Sequence, residues 1–147
     1  MKSGLAPDLE EFEYQRLEEF RYQIRRFLAF SEAAARELGL EPQQHMALLV
    51  IKGTPQDASP TIRRLADRLL LRHHSAVGLV DRLVSLGLVK RGQSPDDARK
   101  VLLHLTALGE RTLHRLSVEH RAELEERGPK LAAALREIGR VSHRVGA

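Results

Sequence analysis

Between residues 61 and 105 the spacing of hydrophobic positions changes from the period of a helix to that of a strand. Ile62, Leu65, Ala66 and Leu69 fall at i, i+3, i+4 and i+7, the stripe of one helical face. After the turn Leu70-Leu71-Arg72-His73, a second stripe runs through Ala76, Leu79, Val80, Leu83 and Leu86. It predicts a helix from about His73, with His74, Ser75, Gly78 and Arg82 on the opposite side. Gly87 stands where such a helix takes a left-handed C′ residue. Residues 88–91 and 101–105 are short enough, and bounded by enough turn formers, to be strands; 92–100 is a polar hairpin tip.

The flanks carry helical periodicity only. Residues 8–38 contain no Pro or Gly, and Leu17, Phe20, Ile24, Phe27, Ala34 and Leu38 keep a heptad-like seam with Ser31 in the remaining slot. About 30 residues at ~1.5 Å each span roughly 45 Å, against a radius of gyration of about 15 Å for a chain of this length. Part of this helix is expected to project and to seek a partner, for which a second copy is the simplest choice. All four phenylalanines (Phe12, Phe20, Phe27, Phe30) lie here, where ordinary core packing would also place them. Pro42 suits the first turn of a second helix, with His45, Met46, Leu49 and Val50 carrying it to Gly53; residues 53–60 read as a loop. Thr106 is a plausible N-cap for a helix to about Arg127, lined by Leu113, Leu116, His120 and Leu124. Gly128-Pro129 is expected to end it. A last helix would offer Leu131, Leu135, Ile138 and Val141 or Ser142, with Ala132, Ala133 and Ala134 permitting close approach.

Composition narrows the class. A chain of 147 residues is one domain's worth, large enough to bury a core without staples. The absence of cysteine excludes disulfides, thiolate nucleophiles and cysteine-rich zinc sites, and fits a reducing cytoplasm. No apolar run approaches the roughly 18 residues of a membrane span, and Asp8, Glu10, Glu11 and Glu13 are unlike a signal peptide. The net charge of +4 is uneven. Residues 60–105 hold nine Lys or Arg against four Asp, a net +5, leaving −1 for everything else. A phosphate backbone would be drawn to that segment and not to the flanks, although a solvated basic surface has the same composition.

Catalysis finds little support. There is no Gly-x-Ser-x-Gly, no phosphate loop and no dinucleotide fingerprint, and the carboxylate pairs Glu18-Glu19 and Glu125-Glu126 read as solvated helix faces. The chain is expected not to be an enzyme and to need no cofactor. Outside the basic segment, His45, His104, His114, His120 and His143 include no pair at the i, i+4 spacing that puts two imidazoles on one metal, so no metal ligand is expected.

Four stretches together resemble one family. Ile62-Arg63-Arg64-Leu65-Ala66-Asp67-Arg68-Leu69, then Leu79 to Arg91 (LVDRLVSLGLVKR), then Pro95-Asp96-Asp97-Ala98-Arg99, then Leu105-Thr106-Ala107-Leu108-Gly109 resemble, in order and spacing, the MarR family of winged helix-turn-helix transcriptional regulators. The resemblance covers nearly the whole chain. It implies a mainly α fold with a small β-hairpin wing: one domain, with a DNA-binding lobe at 42–105 and a helical dimerisation region from 8–38 and 107–145. Its interface would fall on Leu17, Phe20, Ile24, Leu124, Leu131, Leu135 and Ile138. It further implies a triangular homodimer acting as a ligand-responsive repressor on a palindromic operator, with a small, often aromatic, effector.

On that reading the helix from His73 enters a major groove, which is wide enough for it, and the hairpin reaches a minor groove. The DNA-binding candidates are Thr61, Arg72, His73, His74, Ser75, Gly78, Arg82, Asp97, Arg99 and Lys100. Asp97 and Arg99 match the family's Asp-x-Arg pattern, in which the carboxylate is expected to orient the guanidinium. The sequence departs from the family at Arg72, where Ser is common, at Gly78, where a bulky polar or basic residue is common, and at Ala98, where a second arginine is common. Gly78 leaves the groove-facing side bare. Two other readings stay open: a winged-helix protein-interaction module, with the basic hairpin incidental, and a metal-sensing regulator.

Overall fold

The computed structural model describes residues 7–140. In chain order they form α1 (Glu11–Glu37), α2 (Pro42–Lys52), α3 (Ile62–Leu69), α4 (His73–Ser85), β1 (Val89–Gln93), β2 (Val101–Leu105) and α5 (Ala107–Gly139). The expected positions Val141, Ser142 and His143 lie outside the described residues. The described chain divides into two compact units. One comprises the residues up to Phe30 and from His120 onward, the other Ser31–Glu119.

The Ser31–Glu119 unit is built around leucines. Leu48, Leu65, Leu79, Leu83, Leu103 and Leu116 are each under 2% exposed and belong to one apolar cluster with Val80 and Val89. Local chemistry starts and stops each helix. The Glu41 main-chain N–H donates to Gln44 Oε1 (2.9 Å) at the head of α2, where Pro42 opens the first turn. Thr61 Oγ1 accepts from the Arg64 N–H (3.2 Å) and caps α3. Gly87, at φ +72°, ends α4 while the Leu88 N–H returns to the Leu83 carbonyl (3.0 Å). Strands β1 and β2 pair antiparallel from Val89↔Leu105 to Gln93↔Val101, and the Leu103 N–H also donates to the Pro60 carbonyl (2.8 Å), seating the 53–60 loop against the hairpin.

The Leu-Thr-x-x-Gly stretch has a structural cause. Thr106 Oγ1 accepts from the Gly109 N–H (3.0 Å) as the cap of α5 and donates to the Gly87 carbonyl (2.6 Å), and the Thr106 N–H donates to the Leu88 carbonyl (3.0 Å). Gly109 is buried in this crossing, where a Cβ would lie 2.1 Å from the Leu88 oxygen. One threonine thus fastens the first turn of α5 to the end of α4 and the start of the wing.

Several expectations are corrected. Helix α5 runs unbroken through Gly128-Pro129. Proline removes the N–H that would reach the Glu125 carbonyl, but both residues are exposed, so water can take that carbonyl at the cost of one helical bond. On α2 the buried face is Gln44, His45, Ala47, Leu48 and Ile51, whereas Met46 and Leu49 are 41% and 43% exposed. The run Met46 to Ile51 is apolar on every side, so periodicity alone does not choose the face. Leu86 is 48% exposed rather than buried: it is the C-cap, and the turn at Gly87 gives its place in the core to Leu88. Strand β1 extends to Gln93, two residues beyond the expected end, with the His104 ring against Gly92, where a Cβ would lie 3.3 Å from Cδ2.

In the other unit the lower half of α1 and the upper half of α5 run antiparallel. Arg16 pairs with Glu137 (3.6 Å) near one end, and His120 meets the edges of Phe27 and Phe30, with ring centroids 6.0 and 5.3 Å apart. Gln23, itself buried, donates to Glu19 (2.8 Å). The seven residues read as an interface all lie here, and none is buried: Leu17, Leu124 and Leu135 are 43%, 42% and 55% exposed, and Phe20, Ile24, Leu131 and Ile138 are half-buried. No helix of the described residues is long and apolar enough to cross a membrane.

Candidate nucleic-acid interface

Helices α3 and α4 are joined by a three-residue turn, Leu70 to Arg72, with Leu70 in the left-handed region (φ 56°, ψ 41°) and the Leu71 N–H returning to the Ala66 carbonyl (2.9 Å). Arg72 occupies the N-cap of α4 without a side-chain hydrogen bond to the helix, so the first-turn amides of α4 keep no side-chain cap. That leaves the positive end of the helix open beside two exposed imidazoles, His73 and His74, and half-buried Ser75. Further along, Asp81 forms a close ion pair with Arg91, joining the outward side of α4 to β1.

An open cleft of roughly 870 Å³ lies between α3, the start of α4 and the base of the wing. It brings Arg63, Arg64, Arg68, His73, Arg99 and Lys100 together, with Asp67 its one acidic wall residue. Of the candidates from sequence, Thr61, His73, Arg99 and Lys100 line this cleft, whereas Arg72, His74, Ser75, Gly78, Arg82 and Asp97 lie outside its walls. Thr61 has a prior role as the α3 cap. The three α3 arginines were missed as site residues, although the signal was in the chain: Arg63, Arg64 and Arg68 all fall on the polar side of the Ile62, Leu65, Ala66, Leu69 stripe. Arg64 is held back from the opening, its Nε donating to Thr54 Oγ1 (3.3 Å), and so also ties α3 to the preceding loop.

The wing corrects one detail. Asp97 Oδ1 accepts from the main-chain N–H of Arg99 (2.9 Å), not from its guanidinium. An Asp side chain reaches the amide two residues on without distortion, and the Lys100 N–H to Asp97 carbonyl bond (3.0 Å) closes the same turn. Asp97 therefore shapes the loop that presents Arg99, while the Arg99 side chain stays exposed.

Two helices across a tight turn and a two-stranded wing make a winged helix-turn-helix, with a cationic cleft beside it. Residues 38–100 match the MarR family model. The chain is similar to the multiple antibiotic-resistance repressor from Listeria monocytogenes, at 27% identity and a TM-score of 0.59 over 94% of this chain and 95% of that one. It is also similar to CouR from Rhodococcus jostii, solved with p-coumaroyl-CoA, at 27% identity and a TM-score of 0.59 over 68% of each chain. A variant of MepR from Staphylococcus aureus, solved with an oligodeoxyribonucleotide, shares the fold at 18% identity and a TM-score of 0.61 over 92% of this chain and all of that one. No curated protein matches the chain.

Proposed function

We propose that this protein is a cytoplasmic, homodimeric repressor that reads a palindromic double-stranded operator and releases it when a small aromatic effector binds. The cleft carries the proposal: five Arg or Lys and one His against one Asp, at the junction of α3, α4 and the wing, suit a phosphate backbone. Helix α4 then lies in the major groove through Arg72, His73, His74 and Ser75, and Arg99 enters a minor groove, whose negative potential favours a guanidinium. The MepR variant bound to an oligodeoxyribonucleotide supports the DNA arm of this reading, and CouR with its aromatic acyl thioester supports the effector arm. Pairing through Leu17, Phe20, Ile24, Leu124, Leu131, Leu135 and Ile138 would set two α4 helices about 34 Å apart or a multiple of it, so an effector need change that distance only slightly to prevent joint engagement. The chain acts here as a regulator and not as a catalyst.

The test is titration of selected palindromic and random duplexes at several salt concentrations. The palindrome is expected to bind more tightly, with a steep fall in affinity as salt rises. Arg99→Ala is expected to weaken it by about 1–3 kcal/mol, roughly 5- to 150-fold. Equal, salt-insensitive affinity for both duplexes would instead favour a protein-interaction module.

A further inference from the structure

Gly78 is the sixth residue of α4 and faces away from the buried stripe of Ala76, Leu79, Val80 and Leu83. A glycine in a helix interior is destabilising relative to alanine, and at a groove-facing position it removes a side chain that could read a base. The Arg82 side chain borders the space it leaves. A Cβ built on Gly78 would lie 3.5 Å from Nη1 of Arg82, one helical turn later. The Arg82 side chain therefore runs back toward the start of α4, the direction helical side chains favour, and brings its Nη1 beside Gly78. A longer residue at 78 would fill this space. The neighbouring carboxylate, Asp81, is engaged by Arg91 on β1 and is not the partner of Arg82.

The arrangement carries a planar, exposed, permanently charged fork to the middle of the outward face, toward the end of the helix that meets base edges. A guanidinium presented to a major groove pairs in bidentate fashion with O6 and N7 of guanine, the commonest specific side-chain contact there. We propose that Arg82 is the guanine-reading residue of α4 and that Gly78 is its positioning residue. This rests on α4 being the DNA-reading helix, as set out above. The face that appeared bare in the sequence is supplied from one turn away.

Selection of bound duplexes from a random pool, run in parallel with the full-length wild type, Arg82→Ala and Gly78→Gln, tests the assignment. The wild type is expected to enrich a motif with a G·C pair in each half-site, preferred over other pairs by roughly 5- to 150-fold. In Arg82→Ala that one preference vanishes while the other positions persist. In Gly78→Gln, whose side chain displaces the guanidinium, the same position and no other weakens. An Arg82→Ala protein that enriches the wild-type motif at every position, with a uniform loss of affinity, overturns the proposal and makes Arg82 a phosphate contact. If the wild type enriches no motif, the operator reading itself fails and takes this assignment with it. Should a variant not fold, 7-deazaguanine at the selected pair asks the same question of the wild type. It removes the N7 acceptor, and unchanged affinity overturns the proposal.

Discussion

The two units of this chain treat their leucines differently. In Ser31–Glu119, Leu48, Leu65, Leu79, Leu83, Leu103 and Leu116 are all but inaccessible, drawn from α2, α3, α4, β2 and α5. In the unit formed by the two chain ends, the one buried apolar residue among those described is Ala134, while Leu17, Leu124 and Leu135 remain 42–55% exposed. Burying a leucine is worth about 1.5–3 kcal/mol, so the first unit completes its own stabilisation and the second leaves much of it unused. The difference teaches that apolar periodicity states which face seeks burial, not which chain supplies the cover.

The sharpest way to break the first unit is Gly109→Ala. Its Cβ would stand 2.1 Å from the Leu88 carbonyl oxygen, a main-chain atom that also accepts from the Thr106 N–H, so neither side can yield without opening the α5 cap. Overpacking against backbone sits at or beyond the top of the usual range, and a loss of about 4 kcal/mol is expected by denaturant unfolding. A variant within about 1 kcal/mol of wild type would mean that the crossing of α5 and Leu88 is not close-packed.

A matched pair of truncations sharpens the contrast directly. Leu83→Ala, in a site 0% exposed, is expected to cost about 3 kcal/mol at every protein concentration. Leu135→Ala, at a position 55% exposed, is expected to change the stability of one chain by only about 0.5 kcal/mol. If the open face pairs with a second copy, however, the wild-type Tm depends on concentration, and the same change weakens self-association about ten-fold or more, read by sedimentation velocity. A wild type that stays monomeric throughout would leave those leucines unexplained and remove the paired lobes from the proposed mechanism.

Legibility followed the same divide. The span of α3, the start of α4 and the span of β2 could be read because each coincides with a local signal: the Ile62 to Leu69 stripe, the turn before His73, the valine and leucine run after the polar tip. Faces failed where composition was uniform, as on α2, whose apolar residues surround the helix. Gly128-Pro129 misled because a breaker acts only if the orphaned carbonyl has no alternative, and solvent supplies one. At the candidate site, charge counting located the segment but not the cleft. That Arg63 and Arg68 share a cleft with Arg99 and Lys100 depends on how the wing folds back on α3, a long-range fact that no local spacing encodes. Nor could spacing show Asp97 turning to the Arg99 amide, since both readings need the same two residues.

Even the self-sufficient unit has one residue at odds with it, and the smallest expected effect lies there. Leu70 is 92% exposed and left-handed, the one described non-glycine residue with positive φ. A β-carbon in that region costs about 1–2 kcal/mol, less for Asn than for other side chains. Leu70→Asn is expected to stabilise the fold by about 0.5–1 kcal/mol, a rise in Tm of about 2 °C. Leu70→Gly relieves the same strain but gains entropy in the unfolded chain, about 0.5–1 kcal/mol, and is expected to end near zero. Leu70→Ala separates the two causes. It removes the exposed apolar surface and keeps the strained backbone, so its Tm is expected to match wild type. If it rises as far as the asparagine variant, exposure and not φ is the source of the penalty, and the turn between α3 and α4 is relaxed as it stands.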